Sequence, residues 1–199
     1  MNPRDSKTPV IASGGKVVLR DRLPSDVDDF IRWQTHGEWR EYDAPWESMR
    51  TTLTEEDQGQ IRAKFLAECA QSQPWPRRRA TIATLENSPL GWVNRYADKR
   101  FPDAWLVGIS IGEDAYLNRG IGTEALGLWI ETLFSNSGVH RIGLDTWSFN
   151  PRMVRVAEKL GFVCEGTERE LIEWQGEWLD RVHFGMLRRE WVEKRQQRI

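Results

Sequence analysis

A chain of 199 residues is long enough for one domain with a sizeable hydrophobic core. Its formal net charge is -2, from 28 basic and 30 acidic residues, so electrostatics give no reason to expect nucleic acid or a membrane as a partner. The two cysteines and three histidines lack the spacing of a disulfide framework or a metal site. No apolar run reaches membrane-spanning length and the first residues lack a signal-peptide core, which favours a cytoplasmic protein.

The N-terminal part is predicted to hold a tail, one strand and two helices. Residues 1–14 end in two glycines, and we expect a flexible tail there, before a single domain over 15–193. An apolar run predicts a strand at 17–20. Ser25 followed by acidic residues predicts the start of the first helix, and Thr54 begins the second in the same way.

The middle of the chain is predicted to hold three strands, a helix and a further strand. The strands are expected at residues 79–85, 90–96 and 105–111. Apolar residues at helical spacing then predict a helix over 120–136, and the apolar run at 142–145 predicts a buried strand.

The C-terminal part is predicted to hold one helix and a hairpin. Asn150 has the character of an N-cap, Pro151 suits the first helical position, and Gly161 suits the position after the last turn. Strands at 162–173 and 178–187 form the expected final hairpin.

Two glycines, Gly120 and Gly122, open the helix at 120–136. Glycine lets a ligand approach the backbone closely, and the free N–H groups of a first helical turn favour an anion. A plain turn from loop to helix is the structural alternative. A literal match to a dinucleotide fingerprint, completed by Ala125 with Asp145 downstream, is disfavoured because the preceding strand ends at Ile111, well before the glycines.

Two segments carry a resemblance to a known family: residues 119–125 (RGIGTEA) and residues 150–162 (NPRMVRVAEKLGF). With the order of elements, they make the chain similar to the GNAT acetyltransferases, and within them to the branch that includes ribosomal-protein N-terminal acetyltransferases. The resemblance runs from about Val17 to Trp191. It implies an α/β fold with a mixed, mostly antiparallel central sheet flanked by helices, in the order β-α-α-β-β-β-α-β-α-β-β.

The resemblance also implies an activity. The family transfers acetyl from acetyl-CoA to a primary amine by direct attack, without a metal, and the amine belongs to a small molecule or a protein N-terminus. A non-catalytic acyl-CoA-binding or interaction module on the same fold is the alternative. The hairpin with Trp174 and Trp178 is either a wall of the acceptor site or the surface of a homodimer.

The cofactor-binding residues implied by the resemblance lie on the third predicted strand of the middle region, at the glycine turn and before the next helix. The glycine turn would receive the pyrophosphate, and an N–H near Ile111 would hold the acetyl carbonyl. A solvated surface role for Arg119 and a purely capping role for Asn150 are the alternatives. The residues are Ile109, Ser110, Ile111, Arg119, Gly120, Ile121, Gly122, Thr123 and Asn150.

The catalytic residues are not identified by the resemblance. Ala157 stands where many relatives have a tyrosine that acts as the general acid, and Met153 stands where another branch has a serine. Val107 stands where relatives often have a glutamate that acts as the general base. Proximity with water-borne protons is one explanation, and substitute groups are another. The substitute candidates, each with a structural role as its alternative, are Asp145, Glu113 and Ser148.

Residues 39–49 are predicted to form an irregular aromatic and acidic loop. In relatives the corresponding loop covers the acceptor. Aromatic rings and carboxylates together suit a cationic amine, while a packed aromatic cap over the core is the alternative. The acceptor-binding candidates in this loop are Trp39, Glu41, Tyr42, Asp43 and Trp46.

Overall fold

Eight strands form one sheet in this computed structural model, which describes residues 10–48, 52–97 and 100–196. The strands are β1 (Val10–Ser13), β2 (Val17–Arg20), β3 (Arg79–Thr84), β4 (Pro89–Ala97), β5 (Ala104–Ile111), β6 (Arg141–Trp147), β7 (Val163–Trp174) and β8 (Glu177–Leu187). The helices are α1 (Val27–Trp33), α2 (Trp39–Tyr42), α3 (Pro45–Ser48), α4 (Glu55–Cys69), α5 (Ile121–Ser135), α6 (Pro151–Leu160) and α7 (Arg188–Gln196).

The sheet has the strand order β1-β2-β3-β4-β5-β6-β8-β7. Every neighbouring pair is antiparallel except β5 and β6, which run parallel. Their pairing extends only from Ala104 opposite Arg141 to Leu106 opposite Gly143. The mixed, mostly antiparallel sheet flanked by helices is therefore confirmed, and its single parallel pair opens after three residues.

Helices cover both faces of this sheet. Trp92 and Val93 are neighbours on β4 and point to opposite faces because side chains alternate along a strand. The Trp92 ring contacts Phe30 and Trp33 of α1, at ring-centroid distances of 5.7 and 5.9 Å. Val93 belongs to the main core, which the buried apolar face of α5 fills from the other side. The site lies between these layers, where β5 and β6 separate.

Three segments differ from the sequence predictions. The predicted tail is wrong for residues 10–13, because β1 pairs with β2 at the edge of the sheet; residues 1–9 lie outside the described residues. The predicted loop contains the short helices α2 and α3, while Met49 lies outside the described residues. Helix α7 was not predicted, because its residues are mostly charged and Trp191 is its buried anchor.

Of the two N-caps predicted in the N-terminal part, the one at α4 is confirmed and the one at α1 is wrong. The Thr54 hydroxyl accepts a hydrogen bond from the Asp57 N–H, so the predicted N-cap of α4 is confirmed. Ser25 does not cap α1, because a 3-10 turn over Pro24–Asp26 precedes that helix. The Asp26 carboxylate instead forms a buried, two-pronged ion pair with Arg20, at 2.6 and 2.8 Å.

Candidate active site

A cavity of about 530 Å³ opens where β5 and β6 diverge. Its walls include Val107–Ile111 of β5 and Leu144–Trp147 of β6, which follow the last paired residues of the two strands. On its β6 side, this part of β5 has no strand partner among the described residues. Backbone groups there need another hydrogen-bonding partner, which an extended, amide-bearing ligand can supply.

The glycine turn forms one end of the cavity, at the N-terminus of α5. Gly120 has a φ of 80°, a left-handed conformation that glycine adopts without strain. A Cβ built at Gly122 would have only Ile109 Cδ1 within 4 Å, at 3.9 Å. The missing side chain thus leaves open space beside a 15-residue helix N-terminus, an arrangement that favours an anion.

Most of the predicted cofactor residues come together along this cavity. Two do not line it: Ile121 is buried in the core, and the Arg119 carbonyl accepts a hydrogen bond from Lys16 Nζ at 2.9 Å. The Asn150 side chain accepts from the Met153 N–H, so its capping role is confirmed and its cofactor role stays a prediction. The predicted residues that line the cavity are Ile109, Ser110, Ile111, Gly120, Gly122, Thr123 and Asn150.

Helix α6 adds a basic stripe that the sequence interpretation missed. Arg152, Arg155 and Lys159 all line the cavity, and their spacing of three and four residues places them on one helix face. Arg152 also donates to Glu38 at 2.6 Å, a hydrogen bond that raises the pKa of the guanidinium above its ordinary value. The pattern was readable from the sequence. Arg152 lies over the Tyr42 ring, 5.3 Å from its centroid, and Arg155 and Lys159 add positive charge further along the cavity wall.

The family tyrosine position does not reach the cavity. Met153 and Val156 of α6 line it, whereas Ala157 is fully buried and packs within the core. Position 157, where many relatives carry the general-acid tyrosine, therefore lies in the core and is not part of the cavity wall. One apolar face of α6 therefore contributes some residues to the cavity wall and others to the core. The spacing of apolar residues in the sequence does not distinguish these two environments.

The acceptor-binding candidates separate into lining and supporting residues. Trp39, Tyr42 and Asp43 line the cavity. Glu41 is exposed and lies outside the lining, so its predicted contact is not seen. Trp46 is also outside the lining, because it packs against the aromatic residues of a half-buried cluster at this end of the cavity. The cluster consists of Tyr42, Trp46, Trp147, Phe149 and Trp174, with the Trp46 and Trp147 rings 4.6 Å apart.

Strand β4 contributes a polar wall that was also missed. Trp92, Asn94 and Tyr96 alternate along one face of β4 and line the cavity. The Asn94 Nδ2 donates to the Tyr96 hydroxyl at 2.8 Å. Asn94 lies opposite Gly108 on β5, where a Cβ would come within 2.6 Å of the Asn94 Oδ1. Glycine at 108 is therefore what allows the Asn94 amide to lie here.

Of the three catalytic candidates, Asp145 is the one that lines the cavity. Its Oδ1 is 2.8 Å from His183 Nδ1, and its Oδ2 accepts from Arg181 Nη2 at 2.5 Å. Glu113 instead accepts hydrogen bonds from Arg32 and Trp33 Nε1 outside the cavity lining.

Ser148, the third candidate, has a structural position. Its hydroxyl accepts from the Asp180 N–H at 3.3 Å, and its own N–H donates to the Asp180 carbonyl. Ser148 therefore joins the end of β6 to β8 and is not part of the cavity wall. Asp145 is therefore the one of the three catalytic candidates that lies at the cavity.

Within the described ranges, no helix is long and apolar enough to cross a membrane. The same residues contain no cluster of three or more histidine, cysteine, aspartate or glutamate side chains that suits a metal ion. Both cysteines are free, with Cys164 exposed on β7.

Comparisons with known proteins identify the domain. Residues 16–163 match a family model described as an acetyltransferase (GNAT) domain. Aminoglycoside N(6')-acetyltransferase type 1 from Klebsiella pneumoniae is 30% identical over 171 residues, which cover 79% of each chain. The uncharacterized N-acetyltransferase YokL from Bacillus subtilis is 31% identical over 105 residues, which span 53% of this chain and 59% of that protein.

Solved structures share the fold. Spermidine N-acetyltransferase from Vibrio cholerae, in complex with CoA and spermine, has a TM-score of 0.70 at 17% identity, covering 90% of this chain and 99% of that one. RimL, a ribosomal L7/L12 N-terminal acetyltransferase in complex with CoA, has a TM-score of 0.67 at 15% identity, covering 89% and 97%.

Proposed function

This chain belongs to the GNAT family of acetyltransferases, and from that premise we propose that it transfers the acetyl group of acetyl-CoA to the primary amine of a small cationic molecule. The observation that carries the proposal is one cavity with two chemically distinct ends. One end offers a helix N-terminus with Arg155 and Lys159, and the other offers aromatic rings and the carboxylates of Asp43 and Asp145. An anionic cofactor suits the first end, and a cationic acceptor suits the second.

The cofactor half of the cavity fits acetyl-CoA. We define it as the glycine turn at Gly120–Thr123, the β5 edge at Ile109–Ile111, and Arg155 and Lys159 of α6. The space at Gly122 admits a pyrophosphate to the free N–H groups of α5, and the basic side chains balance phosphate charge. Acetyl-CoA supplies the activated acetyl group as a thioester.

The acceptor half of the cavity suits an amine. We define it as the wall formed by Trp39, Tyr42, Asp43, Trp92, Asn94, Asp145 and Trp147. The rings attract a cation through their faces, and the carboxylates balance its charge. In the reaction the thioester C–S bond breaks and an amide C–N bond forms, and an ammonium acceptor releases one proton overall. Asp145, which lines the cavity, is our candidate to accept a hydrogen bond, and then a proton, from the amine.

One observation favours a second candidate function, a non-catalytic acyl-CoA-binding module. The usual acid and base positions hold Ala157, Met153 and Val107, none of which can exchange a proton. Such a module would bind acetyl-CoA through the same cofactor half without releasing CoA.

The experiment that separates the two candidates is a panel of amines assayed with acetyl-CoA for the appearance of free thiol. The relatives make an aminoglycoside and spermidine the first amines to test, with peptides bearing free N-termini as the macromolecular arm. We expect thiol release with at least one small cationic amine, and a lower rate in Asp145→Asn. Release with peptides alone would overturn the small-molecule assignment, and binding without release would favour the module.

A further inference from the structure

The turn between β1 and β2 lies against the N-terminus of α5, although the two segments are far apart in the sequence. This β1–β2 turn spans residues 14–16, and the Gly14 N–H closes it by donating to the Val17 carbonyl at 2.9 Å. Helix α5 contacts both of the strands that the turn joins. Two glycines that were expected to end a flexible tail therefore lie beside the proposed cofactor half.

The backbone of the β1–β2 turn binds the carboxylate of Glu124, which belongs to the first turn of α5. Glu124 Oε1 accepts hydrogen bonds from the N–H groups of Lys16 at 2.8 Å and Val17 at 3.3 Å. A Cβ built at Gly14 would lie 2.1 Å from the same oxygen, so glycine at 14 leaves the space that the carboxylate occupies. A Cβ built at Gly15 would meet nothing within 4 Å, so this requirement is specific to position 14.

The Lys16 side chain reaches the glycine turn itself. Its Nζ donates to the Arg119 carbonyl at 2.9 Å and would lie 3.1 Å from a Cβ built at Gly120. Gly120 is the residue with left-handed φ that directly precedes α5. The ammonium group therefore contacts the chain where it enters the helix, and it places a positive charge beside the N–H groups of the first helical turn.

An anion bound at those N–H groups would respond to both contacts. The first N–H groups of a helix have no partner within the helix, and they attract side-chain carboxylates as well as bound anions. If the Glu124 carboxylate left the β1–β2 turn, it would compete with a bound pyrophosphate for these groups and repel its charge. The Lys16 ammonium has the opposite effect, because a cation near a phosphate stabilises the bound anion.

We propose that Gly14 and Lys16 of the β1–β2 turn belong to the cofactor site. Lys16 fixes the entry to the glycine turn and balances pyrophosphate charge, while Gly14 provides the space that keeps the Glu124 carboxylate away from the anion. This inference rests on the proposed binding of acetyl-CoA and adds a distant segment of the chain to the cofactor half. Lys16 acts on cofactor binding and takes no part in acetyl transfer, so it is a positioning residue.

The test of Lys16 compares acetyl-CoA with S-acetyl-pantetheine, which has the same thioester and arm but no phosphate. For Lys16→Met we expect the Kd of acetyl-CoA, measured by calorimetry, to rise by about three- to fivefold, the scale of a partly exposed charge contact. The difference from wild type should shrink as salt is added, because salt screens exposed charges. kcat/KM for S-acetyl-pantetheine, with an amine identified by the panel, should keep its wild-type value. Lys16→Arg, which keeps the charge and a donor, should restore most of the affinity.

The test of Gly14 uses Gly14→Ala, whose methyl group would displace the carboxylate of the flexible Glu124 side chain. We expect a loss of acetyl-CoA affinity similar to that of Lys16→Met. Adding Glu124→Gln to Gly14→Ala should reverse the loss, because it removes the charge that repels the pyrophosphate. Gly15→Ala is the matched control, since its methyl group meets no neighbouring atom, and it should bind acetyl-CoA as wild type does.

Lys64→Met is the matched control for Lys16→Met, because Lys64 is an exposed lysine of α4 outside the cavity lining. Wild-type affinity for acetyl-CoA in either Lys16→Met or Gly14→Ala would overturn the inference and leave the proposed function intact. Equal losses of kcat/KM with acetyl-CoA and S-acetyl-pantetheine would assign Lys16 a general structural role and would also overturn it. If wild type does not bind acetyl-CoA, the proposed function is wrong, and the inference is wrong with it.

Discussion

The cofactor half and the acceptor half of the cavity differ in which atoms form the binding surface. The cofactor half relies on backbone groups, at the unpaired β5 edge and the first turn of α5. The acceptor half relies on side chains from α2, β4 and β6, with the aromatic cluster packed beside them. Substitutions that block the backbone groups of the cofactor half should therefore abolish cofactor binding. Substitutions of the side chains in the acceptor half should instead change which amine is preferred.

Gly122→Val gives the largest expected effect and tests the cofactor half. The new side chain would enter the open space beside Ile109, where the pyrophosphate is proposed to bind. We expect acetyl-CoA affinity to fall by more than about 100-fold, equivalent to roughly 2.7 kcal/mol, with the circular dichroism spectrum unchanged. Titration calorimetry measures the affinity.

The matched control is Gly59→Val in α4, another helical glycine whose Cβ would meet nothing within 4 Å. It should change helix propensity to a similar degree, slightly in favour of the helix because valine ranks above glycine, and keep wild-type affinity. If Gly122→Val is folded and binds acetyl-CoA as wild type does, the proposal that the pyrophosphate binds at this turn is wrong.

Ala157→Tyr tests where the cofactor half ends. Because Ala157 is fully buried in the core, a tyrosine there should overpack it and lower the free energy of unfolding by about 1–3 kcal/mol. We expect no gain in kcat, since the position does not line the cavity. Glu158→Tyr, at the exposed neighbouring position, is the control for helix propensity. A stable Ala157→Tyr enzyme with raised kcat would mean that the hydroxyl reaches the thiol.

Trp147→Leu tests the acceptor half through its aromatic wall. Loss of the ring should raise KM for a cationic amine by about tenfold, since a desolvated cation–π contact is worth roughly 1–2 kcal/mol. KM for acetyl-CoA should hardly change. Trp178→Leu provides the control, because Trp178 is 59% exposed and lies outside the cavity lining. Equal increases in KM for the amine and for acetyl-CoA would contradict the assignment of separate cofactor and acceptor halves.

Asp43→Asn and Glu41→Gln form a matched pair with a smaller expected effect. Asp43 lines the cavity and Glu41 does not, so the first change should raise KM for the amine by about two- to fivefold, in line with a partly exposed charge contact. The second should have no measurable effect. Equal KM values for the two variants would favour the alternative in which residues 39–49 form a packed aromatic cap and do not select the amine.

The backbone geometry of the proposed cofactor half could be predicted from the sequence because its signals are local, while its role in binding acetyl-CoA stays a proposal. Gly120 before α5, the capping Asn150 and the C-terminal Gly161 each specify a backbone conformation within a few residues. The same local signals mark where helices and strands begin and end, and the resulting order of elements indicated the fold class. Helix α6 shows the limit of such signals, since Met153 and Val156 line the cavity whereas Ala157 on the same apolar face packs in the core.

The acceptor half could not be predicted to the same degree because its partners are distant in the chain. Asp145 was a candidate, but its contact with His183 depends on the pairing of β6 with β8. Asn94 depends on the absence of a side chain at Gly108, across a strand pair. The edge strand β1 escaped prediction for a related reason, since its stability comes from pairing with β2.

The most direct test of the account is the free energy of unfolding measured with and without acetyl-CoA. A ligand that binds the native cavity at about 100 times its Kd should raise this free energy by roughly 2.7 kcal/mol. We predict that gain for wild type and its absence for Gly122→Val at the same acetyl-CoA concentration. An unchanged free energy of unfolding for wild type at millimolar acetyl-CoA would contradict the assignment of the cavity.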